Sequence, residues 1–145
     1  MLVGMRSGID RHFFFADFDN VSEKVLLERV GKILFNKRKF GPVYMLKTGR
    51  GWHLLCFSVS LSLEEYVEIL KEMKADEKFV EWVEKVGYGV LRLSRRSSHL
   101  NVPYLYKVLI PPWSFKEDVA ARNFYFKILN IESSINNIVR VVVRT

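Results

Sequence analysis

A run of aromatic residues that closes on two acids constrains this chain most. Arg11 to Asp19 reads RHFFFADFD. Aromatic side chains suit a pleated, half-buried surface, so the stretch is predicted to be a strand. Side chains alternate faces along a strand, which puts Asp17 and Asp19 on the same face. Two carboxylates held side by side repel each other unless positive charge lies between them. A divalent cation bound through oxygens is the common remedy, and simple solvation at a strand end is the alternative.

Periodicity and turn residues order the rest of the chain around that strand. Residues 1–10 are expected to form an irregular lead or a short edge strand. Asn20 or Ser22 caps a helix, with Glu23 at capping-box spacing from Asn20. The helix runs to about Asn36, with Leu26, Val30, Ile33 and Leu34 as its apolar stripe. A basic run follows at Lys37, Arg38 and Lys39. Val43–Lys47 and Trp52–Ser60 read as strands joined through Thr48-Gly49-Arg50-Gly51, a hairpin. Ser62 and Glu65 open a helix with a capping box, and Asp76 opens another that Gly87 ends. Tyr88–Arg95 and Tyr104–Ile110 read as strands, the second closed by Pro111-Pro112. Ser114 with Glu117 opens a last helix to about Asn130, and Ile138–Arg144 is a final strand. The order β-α-β-β-α-α-β-β-α-β predicts one α+β domain over residues 1–145, a mixed and antiparallel sheet with helices packed on it.

Composition narrows the partners. A chain of 145 residues, 49% apolar, can build a real core, and no apolar run is long enough to span a bilayer. The first residues lack the basic and apolar regions of a signal peptide. The single cysteine, Cys56, excludes an internal disulfide and a cysteine-based zinc site, and reads as a small buried apolar side chain. These features point to a reducing, cytoplasmic setting and no membrane partner. The net charge of +7 and a pI near 9.6 favour a polyanion, nucleic acid before membrane. Trp52, Trp82 and Trp113 are expected to be packing residues, while Tyr104 and Tyr106 are spaced to share a face that single-stranded bases can stack on.

The hairpin carries the second chemical signal. Gly49 and Gly51 let the backbone approach a ligand, and their amides can point at an anion. Lys47 and Arg50 flank them, and an arginine can grip a phosphate with two parallel hydrogen bonds. His53 follows at the mouth of the strand, on a face shared with Leu55, Phe57 and Val59. An acid pair on one strand and a phosphate cradle on a hairpin are together what nucleotidyl transfer needs.

FFADFD, then TGRGWH, then VLRLSRRSSH resembles the motif order of the archaeo-eukaryotic primases and primase-polymerases, over about residues 11–110. The resemblance implies a primase-like, RRM-like core acting as a nucleotidyltransferase in replication or repair. It implies that Asp17 and Asp19 are catalytic and hold Mg²⁺ or Mn²⁺. It implies that His53, with Arg50 and Thr48, contacts the phosphates of an incoming nucleoside triphosphate. Arg92 and the RRSSH loop resemble the family's third region, which places Arg92 with the phosphate-binding residues. Single-stranded DNA or RNA would be the template, with Arg95, Arg96, Lys37, Arg38 and Lys39 as its contacts. One departure stands out: the third region of the family normally supplies another carboxylate, and here it holds Arg92, Ser94 and Arg95 with no acid. Glu81 and Glu84 lie upstream, on a predicted helix. The alternative is a non-catalytic nucleic-acid-binding, replication-associated protein on the same fold.

Overall fold

The structure, a computed structural model, describes residues 2–4, 6–8, 11–92, 103–128 and 139–143, with side chains from Arg11 to Gly89 and in the two later segments except at Val139. Its elements are β1 (Leu2–Gly4), β2 (Arg6–Gly8), β3 (Arg11–Asp19), α1 (Glu23–Arg29), β4 (Val43–Lys47), β5 (Gly51–Leu61), α2 (Leu63–Glu72), α3 (Glu77–Val86), β6 (Val90–Arg92), β7 (Tyr104–Ile110), α4 (Val119–Ile128) and β8 (Val139–Val142). Helix α1 runs on into a π-helical stretch, Val30–Lys37. After the two short lead strands, the order is the one the sequence predicts, and the fold is α+β.

Six strands form one sheet in the order β2-β3-β5-β4-β7-β8. All pairs are antiparallel except β7 with β8, so the sheet is mixed. The aromatic strand β3 pairs with β5 and is buried along most of its length. On one face, Phe13 meets Phe57 and Tyr125 of α4, and Phe15 meets Phe79 of α3. On the other, Phe14 meets Phe40 and Tyr66 of α2. The run RHFFFADFD is aromatic at consecutive positions because helices cover both faces of its strand. Its outer edge is covered as well: the Tyr66 hydroxyl donates to the Phe15 carbonyl, and the Asp76 amide donates to the Asp17 carbonyl at 2.8 Å. Those bonds satisfy backbone groups that an open edge would leave to solvent or to another strand.

Several local readings change. Ser22, not Asn20, caps α1: its hydroxyl accepts from the Val25 amide, while the Asn20 amide donates to the Arg50 carbonyl. Glu23 leaves the expected capping box for Lys107 and Tyr106 on β7. The π-helical turns bury Val30, Gly31, Leu34 and Phe35 as adjacent pairs, a wider spacing than the expected stripe. The capping box of α2 is present, Asp76 caps α3, and Gly87 ends it at φ 84°.

The last helix starts later than Ser114 and Glu117 suggest. Residues 114–118 are irregular because Glu117 turns inward to Tyr44 and Arg122, and Asp118 caps α4 through the Ala121 amide at 2.9 Å. The Asp118 amide donates to the Phe57 carbonyl, tying this segment to β5. The expected ends of that helix at Asn130 and of the Tyr88–Arg95 strand lie outside the described residues.

Candidate functional site

Strand register brings the acid pair and the histidine together. In the β3–β5 ladder Asp17 lies directly opposite His53 and Asp19 opposite Gly51. Opposed residues in an antiparallel pair share a face, so Asp17, Asp19 and His53 open onto the same side of the sheet. His53 Nε2 and Asp17 Oδ1 are 3.4 Å apart, with side chains 12% and 28% exposed. That is ion-pair distance when the imidazole is protonated. The His53 and Phe15 rings also meet edge to face, their centroids 5.1 Å apart. The imidazole is thus held between the Phe15 ring and the Asp17 carboxylate.

The hairpin turn is spoken for in part. The Gly51 amide donates to the Thr48 hydroxyl at 3.0 Å, and the Thr48 amide donates to the Gly51 carbonyl at 3.0 Å. Gly51 is glycine for a packing reason: a Cβ there would sit 1.8 Å from the Phe18 carbonyl oxygen. Its backbone approaches a neighbouring strand, not a ligand. Gly49 and Arg50 are exposed, and nothing lies within 4 Å of a Cβ built on Gly49. The open part of the proposed cradle is therefore Gly49 and Arg50, with Thr48 half-buried beneath them.

Lys47 separates from His53. It pairs with Trp52 on β5 and Tyr104 on β7, while His53 pairs with Leu46, so alternation sends Lys47 to the opposite face. There its ammonium sits 4.3 Å over the Trp52 ring. Trp52 is a packing residue, as expected, and donates through Nε1 to the Val21 carbonyl at 2.9 Å. Trp82 is exposed. Tyr104 is exposed, but the hydroxyl of Tyr106 donates to Glu23 and its ring lies 5.2 Å from Trp52. Glu23 is held below the usual carboxylate range, first by the hydrogen bond from Lys107.

The basic run is divided too. Lys37 and Arg38 both bind Glu72 of α2, and Arg38 reaches Glu68 at 3.3 Å. Glu72 is lowered in pKa by these two hydrogen bonds. Two of the three residues of this run, Lys37 and Arg38, are thus engaged in tying the π-helical stretch to α2. Lys39 turns instead to Trp113, 4.8 Å from its ring centroid. Arg92 is on β6, which pairs with β1 in a separate two-stranded ladder, not in the main sheet. The side chain of Arg92, together with Arg95 and Arg96, lies outside the described residues. His12 is buried, with its ring stacked on Tyr66 at 5.8 Å.

A divalent ion of the kind that nucleotidyl transfer uses needs several oxygen ligands. Asp17 and Asp19 supply carboxylates on one face, but among the described residues no three His, Cys, Asp or Glu side chains gather to hold an ion. Among the described residues, the acid pair thus lacks the third side chain that a two-metal centre would take. What the face does offer is a carboxylate–imidazole pair beside an exposed Gly-Arg turn. No family model matches the chain, and searches of curated proteins and of solved structures return no match.

Proposed function

We propose that this protein is a primase-like core that binds nucleoside triphosphates and single-stranded nucleic acid, with nucleotidyl transfer as its activity. One observation carries the reading: Asp17 lies opposite His53 in adjacent antiparallel strands, with Asp19 opposite Gly51. That register joins the two motifs behind the resemblance on a single face, which chance pairing of two short motifs does not require. In this reading His53 and Arg50 hold the triphosphate by charge-assisted hydrogen bonds. Asp17 orients the imidazole. The main chain of the turn shapes the approach at Gly49.

The test is primer synthesis and extension on single-stranded DNA with Mg²⁺ or Mn²⁺, beside calorimetric titration of a nucleoside triphosphate. Asp17→Ala and His53→Ala should each abolish extension and weaken nucleotide binding. Full activity in Asp17→Ala would remove this face from the mechanism.

A second reading, a replication-associated protein that binds without catalysing, is favoured by the lack of a third metal-ligating side chain beside Asp17 and Asp19 among the described residues. Binding of single-stranded nucleic acid with no nucleotide binding and no extension would select it.

A further inference from the structure

Lys39, Gly41, Ser58, Trp113, Phe115 and Lys116 line an open cleft of about 410 Å³ far from His53. Ser58 follows His53 by five residues on β5, roughly 17 Å along a strand, and has the opposite parity. Cys56, of that same parity, lies with its sulfur 3.1 Å from the Ser58 hydroxyl. The cleft therefore belongs to the other face and the other end of the sheet.

Its lining is basic. The lining contains two lysines and no carboxylate. Among the described residues, neither Lys39 nor Lys116 pairs with an acid, although Lys37 and Arg38 next door are both held by Glu72. The nearest acids in sequence point away: Glu117 is 9% exposed and bound to Tyr44 and Arg122, and Asp118 caps α4. Trp113 positions the Lys39 ammonium through its ring face without neutralising it, and Phe35 braces the Trp113 ring edge-on at 6.1 Å.

Its shape is built as well. The Gly41 amide donates to the Ser58 hydroxyl at 2.8 Å, and a Cβ on Gly41 would lie 2.8 Å from the Ser58 Cβ and 3.1 Å from the Phe115 Cβ. Bare backbone forms the floor because nothing larger fits. Phe115 stands on the rim, 43% exposed. A large exposed aromatic in a cleft with two lysines that pair with no acid among the described residues matches the way single strands are bound without sequence preference: bases stack on rings while lysines follow the phosphates.

We infer that this cleft binds one unit of a single-stranded nucleic acid, its base against Phe115 and its phosphate between Lys39 and Lys116. The inference shares with the proposed function only its single-stranded partner; it concerns a contact separate from the Asp17–His53 face.

The position of Lys39 supplies a clean variant. It lies just beyond the π-helical stretch at φ 57°, a left-handed conformation that glycine adopts at least cost. Lys39→Gly therefore removes the ammonium while relieving the backbone. Labelled oligo-dT and oligo-U are titrated by anisotropy over a range of salt, with wild type, Lys39→Gly, Phe115→Ala, Lys37→Ala and Asp17→Ala. Phe115→Ala should weaken binding roughly tenfold or more. Lys39→Gly should keep or raise the thermal midpoint, weaken binding, and reduce the salt slope by about 0.7. Lys37→Ala should bind like wild type, and Asp17→Ala should lose nucleotide but keep the oligonucleotide. Wild-type affinity in both Lys39→Gly and Phe115→Ala overturns the cleft, whatever happens at Asp17. Loss of oligonucleotide binding in those two variants, in a protein that takes no nucleoside triphosphate, upholds the cleft and sinks the Asp17–His53 reading instead.

Discussion

The two ends of β5 are organised by different physics. At the His53 end, neighbours are set by ladder register: Asp17 across one side, Leu46 across the other, and the glycine turn one step away. At the Ser58 end, Gly41, Trp113 and Phe115 gather from loops that share no ladder with one another. The first end is held by backbone pairing, while the segment that carries Trp113 and Phe115 is anchored through Glu117, which binds Tyr44 and Arg122. A substitution that damages one should leave the other largely intact.

The most severe way to break that contrast is Gly51→Ala. A Cβ placed 1.8 Å from the Phe18 carbonyl forces β3 and β5 apart. We expect a loss of about 3–5 kcal/mol, or no folded protein, in urea denaturation. Gly49→Ala, with nothing within 4 Å of the new Cβ, is the matched control and should change stability little. Similar losses in the two variants would contradict the register.

Next in size is Arg122→Ala. Among the described residues, it leaves the Glu117 carboxylate with the Tyr44 hydroxyl alone, which donates to it at 2.8 Å. Uncompensated buried charge should cost about 2–4 kcal/mol. The effect should fall on the Lys39–Trp113 cleft, so oligonucleotide binding should weaken while nucleotide binding at the Asp17 face is retained. Equal loss at both sites would mean that the two ends are not separable.

Alkaline pH should probe the interior that both ends share. Burial pushes the Cys56 thiol up to about 11, and it pushes the Tyr44 and Tyr66 phenols well above their ordinary value. Groups raised on folding stabilise the protein fully below their unfolded pKa and cease to do so as pH rises through the folded one. The denaturation midpoint should therefore hold at neutral pH and fall from about pH 9 upward. Cys56→Ser and Tyr44→Phe should each flatten that fall, and an unchanged midpoint to pH 11 would count against the burial of these groups.

The smallest expected effect sharpens the comparison most. Asp17→Asn changes a partly exposed pair and should alter stability by about 1 kcal/mol or less. Nucleotide binding should nonetheless collapse. Lys37→Ala should likewise cost less than about 1 kcal/mol, since its ammonium is largely exposed. A variant of Asp17 that unfolds the protein would reassign this carboxylate from ligand binding to structure.

What the residues alone determined is the part governed by short-range repetition. The strand period of two put Asp17 and Asp19 on one face, and the hairpin residues put β4 beside β5. Ser62, Asp76 and Gly87 marked helix ends through bonds that span three or four residues. These rules act within a few positions, so they can be read off a string. Only the tertiary structure decided which cations stay free. Lys37, Arg38 and Lys39 are identical in a composition, yet Glu72, more than thirty residues away, binds the first two while the third turns to Trp113. Glu117 looked like the start of a helix until Tyr44, 73 residues back, drew its carboxylate inward. Such choices depend on which distant groups burial forces to share a space, because a charge taken from water must find its partner wherever the packed chain has put one.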